Sequence, residues 1–198
     1  MPRAAEHPSG GTGREFVSRT VTLALGVEEG TLIDFETTGI PGKTPEHEVV
    51  TLGYLYANKL VVMQRRTPEK DPFYGELRKV IAHLPRPLFS YNAKFEREII
   101  EVELGLRIRE EDIVDIMEPW RKKAEAAGLK WPKLDELISE PEDYFGTDKI
   151  TGRDVPRLWR EYLATGASPV LTKIMEHSLS DILREAILLL RMTDRPSG

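Results

Sequence analysis

The sequence predicts an α/β domain: a mixed sheet of five or six strands, with helices on both faces and a C-terminal helical cap. Three observations favour this architecture. The first third of the chain alternates apolar and polar residues like an antiparallel meander. The middle third alternates short apolar runs with segments of helical periodicity, and the last third contains helical segments separated by the loops FGTDKITGRD and TGASP.

The elements follow in that order along the chain. The predicted meander strands are VSRTVTLAL, TLIDFE, EVVTLGYLY and NKLVVMQR, and two short strands lie in RPLFSYN and EDIVDIM. The predicted helices are 73–83, KFEREIIEVEL up to about Gly105, EPWRKKAEAAG, 133–139, 155–164 and 170–191. This order of strands and helices is typical of a layered domain rather than a bundle or a sandwich.

Length and composition predict one folded unit. The chain has 198 residues, of which 40% are hydrophobic, enough for one sizeable core. Residues 1–14 are small, polar and rich in glycine and proline, so we expect a disordered tail. We therefore expect a single domain over residues 15–198.

Charge and cysteine usage exclude several classes of protein. With no cysteine, the chain has no disulfide, thiolate zinc site or cysteine nucleophile, so any metal needs oxygen or imidazole ligands. The net charge of −5 argues against a broad basic face wrapped on duplex nucleic acid. No apolar run approaches the roughly 18 residues needed to cross a bilayer, so we expect a cytoplasmic protein with no membrane partner.

Two acids end an otherwise apolar strand in IDFETTG. Asp34 and Glu36 are two residues apart, so in a strand they point to the same face. Two buried like charges side by side are costly unless a cation lies between them, which makes the pair a candidate divalent-metal site. The alternative is a strand end that meets solvent, followed by a plain turn.

Two further motifs carry candidate ligands. In SYNAKFERE, Glu96 lies in the first turns of a helix, either as a ligand or as an acid that suits a helix N-terminus, with Asn92 as its cap. In HSLSD, His177 and Asp181 are four apart on the last helix and share one face, either as base and ligand or as a surface pair. Each motif alone has a structural explanation.

Taken in order, the three motifs resemble the DEDD (DnaQ-like) 3′–5′ exonuclease superfamily, which has a ribonuclease-H-like fold. The resemblance extends from about Thr31 to Leu190 and is closest to the YprB-type domain. It also includes DIMEPWR, the leucine-rich KLDELI and the segment VPRLWREYLATG. The broad family has Asp where this chain has Glu96, which is one methylene longer, so we expect a displaced or water-bridged second metal.

The resemblance implies a two-metal mechanism with Mg²⁺ or Mn²⁺, two ions per active site. Asp34 would bridge the ions, Glu36 and Asp181 would complete the first site, and Glu96 would serve the second. His177 would take a proton from the attacking water. The product would be a nucleoside 5′-monophosphate.

Other residues near the motifs are candidates for substrate contacts. The resemblance implies that Thr37 and Thr38 hold the terminal sugar. The aromatic residues either line the nucleotide pocket or pack in the core, and Lys94 either contacts phosphate or belongs to a solvated face. The remaining predicted set is Phe35, Tyr91, Asn92 and Phe95, with Asp115 behind the metal ligands or capping the next helix.

The expected function is a 3′–5′ exonuclease on single-stranded nucleic acid, because a recessed acidic pocket binds a thin strand end more easily than a duplex. We favour DNA over RNA as the substrate. An RNA-trimming exoribonuclease is one alternative. A catalytically weak nuclease fold that binds nucleic acid is another, and Glu96 is the feature that supports it. A role in DNA repair would be that of a free-standing exonuclease or one with a partner, and homo-oligomers are expected of small members of such families.

Overall fold

A computed structural model describes residues 15–41, 43–138 and 150–193 of the chain. The predicted tail at 1–14 lies outside these residues, as does the stretch 139–149, which includes the last residue of the predicted helix 133–139. Within the described part, no helix is both long and apolar enough to cross a membrane.

The sheet is mixed, with strand order β2-β1-β3-β4. Its strands are β1 Phe16–Thr37, β2 Val49–Arg65, β3 Leu88–Ser90 and β4 Ile113–Asp115. β1 pairs antiparallel with β2 and parallel with β3, and β3 pairs parallel with β4. Because β1, β3 and β4 run in the same direction, their carboxyl ends lie at one edge of the sheet.

Strand β2 folds back on itself. Thr51 Oγ donates a 2.7 Å hydrogen bond to the Gln64 side chain, although a straight strand would separate residues thirteen apart by roughly 40 Å. Between them Ala57 has a positive φ of 50°, as the reversal requires. Accordingly, Phe16 to Thr22 pair with the second half of β2, and Thr31 to Thr37 pair with the first half. When the two halves of β1 and of β2 are counted as separate strands, the sheet is the predicted mixed sheet, and the fold class is confirmed.

The helices occupy the predicted places. They are α1 Asp71–His83, α2 Ala93–Glu98, α3 Glu118–Ala126, α4 Leu134–Leu137, α5 Val155–Thr165 and α6 Ser168–Thr193. The helix predicted to end near Gly105 is α2 continued by a π-helical turn, Ile99–Glu103. Gly105 follows with a φ of 64°, a conformation that favours glycine.

Helices cover both faces of the sheet. Ile33 and Phe35 of β1 face a core formed with α1 and the π-helical turn. Leu32 faces the other way, into a core with α6. A third cluster joins Val50 to α5 and α6 around Trp159. Since side chains alternate along a strand, Asp34 and Glu36 lie on the face of Leu32, toward α6.

Helix α6 packs unusually close to the sheet at Gly53, the residue paired with Asp34. A Cβ on Gly53 would lie 2.7 Å from Ser178 Oγ and 2.8 Å from a side-chain carbon of Ile182. Glycine thus permits the approach that carries the polar side of α6 over the end of β1.

Candidate metal centre

The acid pair of β1 lies beneath helix α6. Glu36 is 6% exposed, and the Oδ2 atom of Asp34 is buried with no hydrogen-bond partner among the described residues. Their neighbours Ile33 and Phe35 fill the opposite core. The alternation predicted from IDFE is present, and it points both carboxylates into the protein rather than into solvent.

Glu96 approaches the same place from the end of β3. Asn92 precedes α2 at its N-terminus, and Glu96 is 3% exposed in the first turn. The backbone N–H of Phe35, on β1, favours the charged form of this carboxyl group, although burial raises its pKa. Its Oε2 atom has no partner within the described part of the chain.

Helix α6 contributes His177 and Asp181 from successive turns. His177 Nε2 lies 3.2 Å from Glu36 Oε1 and 3.6 Å from Asp181 Oδ2. Ligand atoms of Glu36, His177 and Asp181 all lie within 4.8 Å of one another, close enough to share one metal ion. Asp181 Oδ1 also accepts a 2.6 Å hydrogen bond from Arg184.

Two further buried residues of α6, Arg184 and Glu185, belong to the cluster. Neither was predicted as a site residue. Arg184 is 6% exposed and donates from Nε to the backbone carbonyl of Ile138. Glu185 is 2% exposed and was not predicted at all. The signal was available, because Glu185 continues the four-residue spacing of His177 and Asp181 along one side of the helix.

The electrostatics of the cluster favour a bound cation. Burial, reinforced by the charge of Asp181, raises the pKa of Asp34 to about 8. Burial and the neighbouring carboxylates also raise the pKa values of Glu36, Glu96 and Glu185 well above the usual range. Carboxylates packed this closely are stable as anions only when positive charge lies among them, and hard divalent ions are the natural partners of an oxygen-rich set.

The carboxylates line a cleft of about 1110 Å³, large enough for a nucleotide and part of its neighbour. Around the acids the cleft is bordered by aromatic and basic side chains. These are Phe35, Tyr91, Phe95, Trp131, Lys43, Lys133, Arg153 and Lys173. A groove that combines cations with stacking surfaces is typical of sites for single-stranded nucleic acid.

The predicted substrate residues are distributed unevenly around this cleft. Asn92 and Thr37 line it with the aromatic residues, although Phe35 is only 3% exposed and packs in the core. Thr38 Oγ accepts a hydrogen bond from the backbone N–H of Glu48. Neither Thr38 nor the exposed Lys94 is among the described residues that line the cleft.

Asp115 ends β4 beside helix α3. Its Oδ1 accepts a 2.9 Å hydrogen bond from the backbone N–H of Met117, and its Oδ2 pairs with Arg121 at 2.8 Å. Met117 is the residue that immediately precedes α3, so the first contact fixes the turn that leads into this helix. Arg121 in turn lies 5.2 Å from the ring centre of Trp131, so Asp115 is linked to one wall of the cleft.

Comparison with known proteins supports the architecture. A family model described as RNase_H_2, of the RNase_H superfamily, matches residues 31–193. Among curated proteins no significant match was found, and none among solved structures. The matched span begins in the second segment of β1 and ends with helix α6, so it contains every residue of the acidic cluster.

Proposed function

Because the chain belongs to the RNase_H_2 family of the ribonuclease H superfamily, in which the fold implies a nuclease, we propose that it is a metal-dependent 3′–5′ exonuclease acting on single-stranded nucleic acid, with DNA favoured over RNA. The observation that carries the proposal is the convergence of Asp34, Glu36, Glu96 and Asp181, with His177, in one cleft. The order of these motifs along the chain resembles that of DEDD exonucleases. We propose the 3′–5′ direction of digestion because of this resemblance.

The residues present fit divalent cations. Asp34 and Glu96 each direct a buried oxygen into the cluster that has no partner among the described residues. Glu36 and Asp181 form the other part of the cluster, around His177. We assign all four acids as ligands of two Mg²⁺ or Mn²⁺ ions. When bound, such ions stabilise the attacking and leaving oxygens of an in-line displacement at phosphorus.

His177 is proposed to accept the proton of the attacking water. Its Nε2 is directed at the carboxylates of Glu36 and Asp181, so the proposed base lies beside the groups that would hold the metal. The Arg184 bond to the other oxygen of Asp181 holds that carboxylate in place. Histidine suits this role because its unperturbed pKa lies near neutrality.

The cleft is proposed to hold the last nucleotides of the strand. Tyr91 and Phe95 offer apolar surface beside Glu96, and Thr37 lies next to the acid pair. The exposed Lys43, Lys133 and Arg153 on the rim can neutralise phosphates. This basic rim is local, in keeping with a net charge of −5 and a single-stranded substrate.

Digestion of end-labelled oligonucleotides tests the proposal. Single-stranded DNA and RNA of one sequence, labelled at the 5′ or the 3′ end, are incubated with Mg²⁺, Mn²⁺ or a chelator. We expect a ladder shortening from the 3′ end in metal only, and its loss in Asp34→Asn, which keeps the side-chain volume.

The matched control is Asp135→Asn, an exposed acid that also lines the cleft. It should digest like the wild type. Products shortened from the 5′ end or cut internally would refute the direction. Absence of cleavage on either polymer, together with retained binding, would support the nucleic-acid-binding module instead.

A further inference from the structure

Glu185 is the buried carboxylate that the assignment above does not use. It lies on α6 one turn after Asp181, and only 2% of it is exposed. Its Oε2 atom is buried and has no hydrogen-bond partner among the described residues. The backbone N–H of Tyr91, at the end of β3, favours the charged form of this carboxyl group. Glu185 therefore has a buried carboxylate oxygen that is open to a ligand.

The open oxygen belongs to the acidic cluster. Glu185 lines the cleft together with the four assigned acids. The carboxylates whose charges act on it are those of Asp34, Glu96 and Asp181, in decreasing order. The basic neighbour, Arg184, contacts Asp181 and the carbonyl of Ile138. Glu185 thus faces the half of the site built by Asp34 and Glu96.

The two halves of the site differ in how their oxygens are satisfied. Around Glu36 and Asp181, His177 provides contacts at 3.2 and 3.6 Å. Asp34, Glu96 and Glu185 come from three elements, β1, α2 and α6, and each has a buried oxygen without a partner in the described part of the chain. A buried carboxylate oxygen without a partner is costly unless a cation binds it.

We propose that Glu185 is a ligand of the second divalent ion, which it holds together with Asp34 and Glu96. This inference rests on the proposed function, because it assumes two ions per site.

Binding of Mn²⁺, followed by electron paramagnetic resonance and calorimetry near pH 8, tests the proposal without measuring activity. The wild type should bind two ions per chain. Glu185→Gln keeps the side-chain volume but removes the charge. It should weaken binding of the second ion by at least about 10-fold, since losing a mere partner of a ligand already costs this much, and leave the affinity for the first ion within a few fold. Glu185→Asp, which withdraws the carboxylate by one methylene, should fall between the two.

The control is Glu176→Gln, on the same helix and in the same cleft. It should bind both ions like the wild type. Thermal unfolding in chelator verifies that each variant is folded, and Glu185→Gln should be at least as stable as the wild type because it removes a buried acid. Two ions bound equally well by wild type and Glu185→Gln would overturn the role of Glu185 and leave the proposed nuclease intact. A wild type that binds no Mn²⁺ would overturn both.

Discussion

At the scale of single residues, His177 has two candidate roles, metal ligand and general base, that experiments can distinguish. Its Nε2 is close enough to Glu36 and Asp181 to share an ion with them, yet it is also the imidazole proposed as the base. The two roles make different demands. A ligand is needed for metal affinity, whereas a base is needed only for the rate.

We expect His177→Gln to lower the rate of nucleotide release by about 10²- to 10⁴-fold, the usual contribution of general acid–base catalysis. Mn²⁺ affinity should stay within a few fold of the wild type. Rates are measured on labelled single-stranded DNA and affinities by calorimetry, with His83→Gln, an exposed histidine at the end of α1, as the control. A parallel loss of both quantities would make His177 a metal ligand instead.

The residues of the cluster were predictable to different degrees. The strand alternation around Asp34 and Glu36 and the order of the three motifs were enough to nominate five residues, which line one cleft. Glu185 was not predicted because its spacing from Asp181 gives only a side of the helix, and sequence spacing alone does not give burial. Its environment arises from the packing of α6 against β1, β2 and α4, which is tertiary information.

At the scale of elements, the site depends on how closely helix α6 approaches β1 and β2. Gly53 sets that distance, because any side chain there would meet Ser178 and Ile182. Ser178 is adjacent to His177, and Ile182 is adjacent to Asp181. A shift of the helix at these contacts therefore displaces the catalytic side chains as well.

Gly53→Ala should lower the free energy of unfolding by about 1–3 kcal/mol, the usual cost of overpacking a core. It should also reduce exonuclease activity, although residue 53 has no chemical role. Gly75→Ala is the matched control, since a Cβ there meets none of the described atoms within 4 Å and alanine favours the interior of α1. Urea unfolding and digestion rates measure the two effects. Wild-type activity in a folded Gly53→Ala would disprove the link between helix position and the site.

Element boundaries followed the sequence except where tertiary contacts decide them. Hydrophobic periodicity predicted α1, α5 and α6 within a few residues, because each buries one continuous face. It did not predict the π-helical turn Ile99–Glu103 after α2, which brings Ile99 and Ile100 into the core opposite α6. Nor can periodicity fix the packing distance at Gly53, which depends on residues more than a hundred positions later.

At the scale of the whole molecule, the buried carboxylates of the cluster make the stability of the fold depend on pH. Asp34, Glu36, Glu96 and Glu185 all have pKa values raised by burial and by one another. A pKa that is higher in the folded than in the unfolded chain means that the folded protein binds protons more tightly. Without metal, the stabilising contribution of these groups is complete at acidic pH and is lost as they deprotonate.

For Asp34 the range runs from its ordinary pKa of 3.8 to about 8, so in chelator the wild type should lose stability across this range relative to Asp34→Asn. Divalent cations bind the deprotonated carboxylates, so stabilisation by Mn²⁺ should grow as pH rises from 5 to 8. Urea midpoints at each pH, with chelator or Mn²⁺, measure both trends. If wild type and Asp34→Asn change in parallel with pH in chelator, Asp34 does not titrate in this range. If the Mn²⁺ effect is independent of pH, these acids are not where the metal binds.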